Sequence, residues 1–202
     1  MKTTERTLAL VAALALVMLA TYVPMGSLLL IVSLSALAVL YYPLGVSLFN
    51  DLPLSAVARR TDIEGVSAGR KVGAIAAGMA FAVVCMGILF RVQMWPSGGL
   101  ILLTGLALLV LLLGFLFVRK KSISVPFYRG IYIRLAILGL VGTMLFMMPT
   151  IVLVEWHYHN HPDYIERWKQ VQEDPTNGEL REQLLELQEA IAKGQHTSES
   201  TP

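Results

Sequence analysis

The 202-residue chain has a single cysteine, Cys85. One thiol excludes an intramolecular disulfide and cannot frame a metal site. Set in an apolar segment, it reads as a small buried hydrophobe. Charge is scarce too: 15% of residues are charged, against about 25% in an ordinary soluble domain. The deficit is concentrated in long segments rather than spread evenly, and that pattern specifies a membrane protein. No convergent set of acid, base and nucleophile points to an enzyme. Nothing resembles a nucleic-acid module. The expectation is a non-enzymatic chain without a cofactor.

What the sequence has is long apolar runs, with a mean hydropathy of +0.64. Five segments are candidate spans: Thr7–Val23, Ser27–Tyr42, Val72–Phe90, Gly99–Val118 and Ile131–Val154. A span needs roughly 17–25 residues, so the first two, joined by Pro24-Met25-Gly26, predict a tight helical hairpin. The second is expected to run on towards Phe49, kinked or broken at Pro43. Residues 1–20 have the charged start and apolar stretch of a signal peptide. They lack a clean small-x-small cleavage site, so a retained helix is the reading adopted. The predicted fold is all-α and polytopic. A membrane domain covers residues 1–154 and an acidic extramembrane tail covers residues 155–202.

Charge is distributed unevenly about that boundary. Before Glu155 there are 12 Lys/Arg against 4 Asp/Glu; from Glu155 on there are 4 against 10. Within the membrane part the basic residues alternate between connections. Lys2 and Arg6 precede the first span, and Pro24-Met25-Gly26 has none. Arg59, Arg60, Arg70 and Lys71 follow the second span, Arg91 alone follows the third, and Arg119, Lys120, Lys121 and Arg129 follow the fourth. The positive-inside rule then puts the N-terminus in the cytoplasm of a bacterial inner membrane, and five spans put the tail in the periplasm. Arg59 and Arg60 are expected to meet anionic headgroups along the cytoplasmic surface.

The stretch GILFRVQMWPSGGL, Gly87–Leu100, interrupts the apolar runs. Trp95 suits the membrane–water interface, Arg91 can snorkel to headgroups, and Gln93 can hydrogen-bond across the turn. Pro96 and Gly98-Gly99 end one helix and let the chain reverse. The stretch resembles the motif G-x-L-F-K-x-x-H-W-P-G-A of the GldL-like membrane hairpin found in gliding-motility and type IX secretion proteins of the Bacteroidetes. The matching residues are Gly87, Leu89, Phe90, Arg91, Trp95 and Pro96, with Met94 where the family often has histidine and Ser97-Gly98 in place of Gly-Ala. The resemblance covers about a fifth of the chain, roughly Gly78–Val118. It implies a related hairpin and a possible interaction element at Gly87, Phe90, Arg91, Trp95 and Pro96. It does not carry over motor activity: the family's motor subunit has two spans and a long cytoplasmic region. A proton-driven motor also needs an ionisable group inside the bilayer, and spans three and four hold no charged side chain.

Small residues recur at helical spacing on span three: Gly73 and Ala77, then Ala74, Gly78 and Ala82. Such faces allow close helix packing, with Gly139 and Gly142 of span five as candidate receivers. Packing within the chain is the plainer reading and self-association the alternative. Arg134, about one turn inside span five, is expected to snorkel, and Pro149 to kink that span. In WHYHNHPDYIE, residues His157, His159, His161, Asp163 and Glu166 are metal-ligand types. The segment starts where span five ends, however, so an interfacial belt and linker is preferred and no metal site is assigned. The tail predicts a helix over residues 177–193, capped by Asn177 with Glu179 in its first turn, followed by a disordered end. Leu180, Leu184, Leu187 and Ile191 form an apolar stripe along it, a candidate docking face. Expected partners are the lipid bilayer and membrane or periplasmic proteins, including a second copy of the chain. The functional expectation is a scaffold or accessory subunit; the alternative is a small transporter or channel component.

Overall fold

The computed structural model describes residues 2–23, 25–42, 45–49, 68–119 and 125–199. All regular structure among them is helical: α1 (Lys2–Ala20), α2 (Gly26–Tyr41), α3 (Gly45–Phe49), α4 (Ala68–Val92), α5 (Gly98–Arg119), α6 (Val125–Met147), α7 (Thr150–Tyr158), α8 (Pro162–Glu173) and α9 (Gly178–Glu199). The loop carrying Arg59 and Arg60 lies outside the described residues. Four helices are long and apolar enough to cross a bilayer, over Thr3–Ala20, Gly69–Val92, Gly98–Val118 and Arg129–Met147. The fifth apolar helix, α2, has 16 residues, about 24 Å at 1.5 Å per residue. The chain is an all-α polytopic helical protein.

The chain divides into two compact units, Met1–Met148 and Pro149–Pro202. In the first, α4 is central and packs against α2, α3, α5 and α6, while α1 packs along α2. Alanines at positions 74, 77 and 80 bury completely or nearly so, and Phe81, Val84 and Ile88 fill the space around them. Outward positions stay apolar: Leu111 is 68% exposed, Phe117 75% and Leu140 74%. A soluble surface does not carry so continuous an apolar exterior, whereas lipid tails cover it without cost.

Two boundaries differ from the sequence reading. The expected span Ile131–Val154 ends at Met147, and a separate helix starts at Thr150 with Pro149 as its N-cap. Pro149 has no N–H to bond back to the helix and its ring crowds the preceding turn, so it breaks the helix rather than kinking it. At the second span the expected alternative of a broken helix is the one found: α2 ends at Tyr41 and Gly45–Phe49 is a helix of its own, with Pro43 itself outside the described residues. The expected disordered end is helical as far as Glu199. Gly194 opposes helix most strongly there, and one internal glycine costs about 1 kcal/mol, too little to end it.

The second unit is a run of three short helices. Pro162 occupies the first turn of α8, where its missing N–H is no loss. Tyr158 stacks on Tyr164 with ring centroids 4.0 Å apart, joining α7 to α8. Asn177 caps α9 as expected, its Oδ1 accepting from the Leu180 N–H at 3.2 Å.

Candidate functional site

The Gly87–Leu100 stretch is the turn between α4 and α5. Helix α4 ends in a Schellman motif. The Trp95 N–H donates to the Phe90 carbonyl at 2.9 Å and the Met94 N–H to the Arg91 carbonyl at 3.3 Å, with Met94 left-handed at φ 56. That geometry sets the spacing of the motif. Phe90 and Trp95 are the two positions that touch across such a cap, and their rings meet edge to face at 4.9 Å. The chain then turns at Pro96 and Ser97, closed by the Gly98 N–H on the Trp95 carbonyl at 3.1 Å. A proline followed by a left-handed residue, Ser97 at φ 63, is the arrangement of a type II turn.

The reversal expected from Gly98-Gly99 is therefore made by Met94 and Ser97. Gly98 serves close approach instead: a Cβ there would lie 2.7 Å from the Phe90 carbonyl oxygen, while one at Gly99 would meet nothing within 4 Å. A non-glycine residue in the left-handed region carries a penalty of about 1 kcal/mol. Met94→Gly is accordingly expected to stabilise the hairpin by up to about 1 kcal/mol, read as a higher unfolding midpoint in detergent.

Arg91 and Gln93 both bond to other helices of the unit. Arg91 Nη2 donates to the Met148 carbonyl at 2.9 Å, so this guanidinium ties the end of α4 to the end of α6. Gln93 bonds to α2, not across its own turn. Ser27 Oγ donates to Gln93 Oε1 at 2.9 Å, and Gln93 Nε2 donates to the Ser27 carbonyl at 3.2 Å. Gly87 makes a close helix contact, since a Cβ there would lie 2.6 Å from Leu102 Cα on α5. Gly87, Phe90, Arg91, Trp95 and Pro96 thus form one connected turn. Trp95 is its outermost aromatic ring, 41% exposed.

The small-residue face of α4 is occupied within the chain. Gly73 and Ala77 are buried. A Cβ on Gly78 would lie 2.5 Å from the Tyr41 carbonyl oxygen, and one on Gly45 would lie 3.1 Å from Gly78 Cα. Gly139 and Gly142 do not receive this face. They meet leucines of α5, Gly139 near Leu109 and Gly142 near Leu106 and Leu102, with Val84 of α4 also against Gly142.

At the other end of the first unit lies a polar cluster that the sequence reading missed. Glu5, in the first turn of α1, is 5% exposed. Arg134 forks onto it, Nε to Oε1 and Nη2 to Oε2. Tyr41 Oη donates to Glu5 Oε1 at 2.8 Å, Arg134 Nη1 donates to the Gly130 carbonyl at 2.7 Å, and the guanidinium carbon sits 5.4 Å from the Phe49 ring centroid. Arg134 is paired with Glu5 inside the protein. The clue in the sequence is Glu5 itself, the sole carboxylate before Asp51.

In the second unit, among the described residues, no three of His, Cys, Asp or Glu come together to hold a metal ion. His157 lies on α7 with Nδ1 3.1 Å from the Leu153 carbonyl, and its Nε2 is buried with no hydrogen-bond partner among the described residues. Burial pulls its pKa below the ordinary value. The unfolded chain then binds a proton more readily than the folded one, so stability falls as the pH drops below about 6.5. His157→Asn should flatten that slope between pH 7 and pH 5, measured by helicity of the second unit. Burial also raises the Tyr164 phenol, to about 12. Leu180, Leu184, Leu187 and Ile191 are each only half-buried and Leu185 is 61% exposed, although α9 packs against α8. Comparison with protein-family models, with curated proteins and with solved structures finds no match to this chain.

Proposed function

We propose that the chain is a non-enzymatic membrane scaffold or accessory subunit that presents its α8–α9 hairpin to protein partners. The observation that carries this reading is the unfinished burial of the α9 stripe. Four apolar side chains stay half-open, with Leu185 exposed beside them, on a helix rich in glutamate. Acidic charge disfavours anionic lipid and suits protein contact. The test is a tagged pull-down from native membranes in mild detergent, comparing the full chain with one ending at Pro175 and with Leu184→Gln/Leu187→Gln. Partners lost from both altered chains support the reading, and components of a gliding or secretion apparatus among them would support the GldL-like kinship. Partners retained by both would overturn it.

The same proposal has an inner-membrane topology with the N-terminus cytoplasmic and the tail periplasmic. It depends on α2 crossing despite its length, and the polar ties support that. Ser27 bonds at the level of Gln93 and Tyr41 at the level of Glu5. These residues are 14 positions apart, as are Arg134 and Met148, whose carbonyl takes Arg91. This equal spacing of polar ties, about 21 Å along each helix, supports α2 and α6 crossing together. Reporter fusions at Lys2 and after Pro175 should give opposite sides.

A second reading, a small transporter or channel component, draws on Glu5 and Arg134, since ionisable residues within spanning helices often mark ion pathways. Flux into liposomes that Glu5→Gln abolishes would favour it.

A further inference from the structure

We propose that Glu5 and Arg134 form an obligate clasp: α6 carries a guanidinium stably inside the membrane unit only while the first helix supplies the matching carboxylate. The first helix is then a retained structural element, and its loss opens the bundle. This goes beyond the partner reading and does not rest on it.

The sequence isolates both charges. Glu5 is the one carboxylate in the first 50 residues, and Arg134 the one charged residue between Gly130 and Pro149. They lie 129 positions apart, in the first and last apolar helices of the unit. Helix α1 packs along α2, while α6 packs along α4 and α5, so the pair bridges elements whose main packing lies elsewhere. Its chemistry is nearly complete on the carboxylate side, with two guanidinium donors and the Tyr41 hydroxyl on Glu5. The guanidinium gains the Gly130 carbonyl and the face of Phe49. A forked pair of this kind is matched in shape and charge.

Removing one partner leaves a buried, uncompensated charge, which is far worse than removing both. Ionisable groups inside a spanning segment are tolerated when paired. The cluster therefore behaves as a unit. With Glu5 gone, Arg134 must reach water, and Tyr41 loses its acceptor beside α4.

The chain contains its own reporter. Cys85 is its only cysteine, is 0% exposed, and lies on α4, the helix against which both α2 and α6 pack. The experiment follows labelling of Cys85 by an uncharged, membrane-permeant maleimide in the full-length protein in native membrane vesicles. Wild type is expected to stay protected. Glu5→Ala should label about tenfold faster or more, and Glu5→Met/Arg134→Met should return to within about twofold of wild type. If Glu5→Ala does not accumulate, accumulation replaces labelling as the readout, and recovery in the double variant supports the clasp. The proposal is overturned if Glu5→Ala is as protected as wild type, or if the double variant is as open or as scarce as the single one. An intact mass showing that the mature chain starts after Ala20 would overturn it as well.

Discussion

A Gly87→Leu variant should lose roughly 3 kcal/mol of the membrane unit's stability or fail to accumulate, because overpacking against backbone lies at the upper end of the 1–3 kcal/mol range. A Cβ at this position would stand 2.6 Å from Leu102 Cα and 2.8 Å from Leu102 N. Backbone cannot rotate aside as a side chain can, so α4 and α5 must separate. Their contact is extensive, and a shift at Gly87 propagates to Gly105, where a Cβ would stand 2.9 Å from Val84 Cα. Gly114→Leu is the control. It lies on the same pair of helices, yet a Cβ there meets nothing within 4 Å, so its unfolding midpoint should hold within about 0.5 kcal/mol. Equilibrium unfolding in mixed micelles measures both. Equal losses at the two positions would mean that the close approach at Gly87 does not govern the effect.

Arg91→Met is expected to remove about 1.5–3 kcal/mol, the range for a hydrogen bond to a charged group. The argument starts at Pro149. Because α6 ends at Met147, the last carbonyls of that helix have no intrahelical donors, and Pro149 has no N–H to offer. Arg91 supplies a donor to the Met148 carbonyl at 2.9 Å and sets a positive charge at the negative end of the α6 dipole. Arg91→Lys keeps the charge but loses the fixed planar donors, so it should lose about half as much or less. Unfolding of the three proteins in the same micelles gives the ranking. A lysine variant as unstable as the methionine one would show that geometry, rather than charge, holds the joint.

The hairpin shows how much of such a site a sequence can specify. Phe90, Trp95 and Pro96 announce a turn between spans, and the spacing of Phe90 and Trp95 is that of a Schellman contact. Which residue takes the left-handed conformation was not legible from composition. Glycine is the usual choice, yet Met94 and Ser97 adopt it while Gly98 is held for close contact with Phe90. A glycine in a sequence signals either backbone freedom or lack of space, and only the neighbouring helix distinguishes them. In α9 the apolar spacing and the Asn177 cap were legible because both are local. The half-exposure of that stripe was not, since it depends on how far α8 covers it.

The apolar runs by themselves determined that this is an all-helical membrane chain. Burying backbone polar groups in lipid requires helices or closed barrels, and runs of this length select helices. The break at Pro149 was half legible: proline predicts a disturbed helix, and the tertiary structure decided that the helix ends there with Arg91 on the freed carbonyl. Only the tertiary structure decided the fate of the charges. Glu5 meets Arg134 across 129 positions, and Ser27 meets Gln93 across 66. Periodicity records which face of a helix is apolar, but a pair of charges is joined by the approach of two helices, and no local pattern contains that distance.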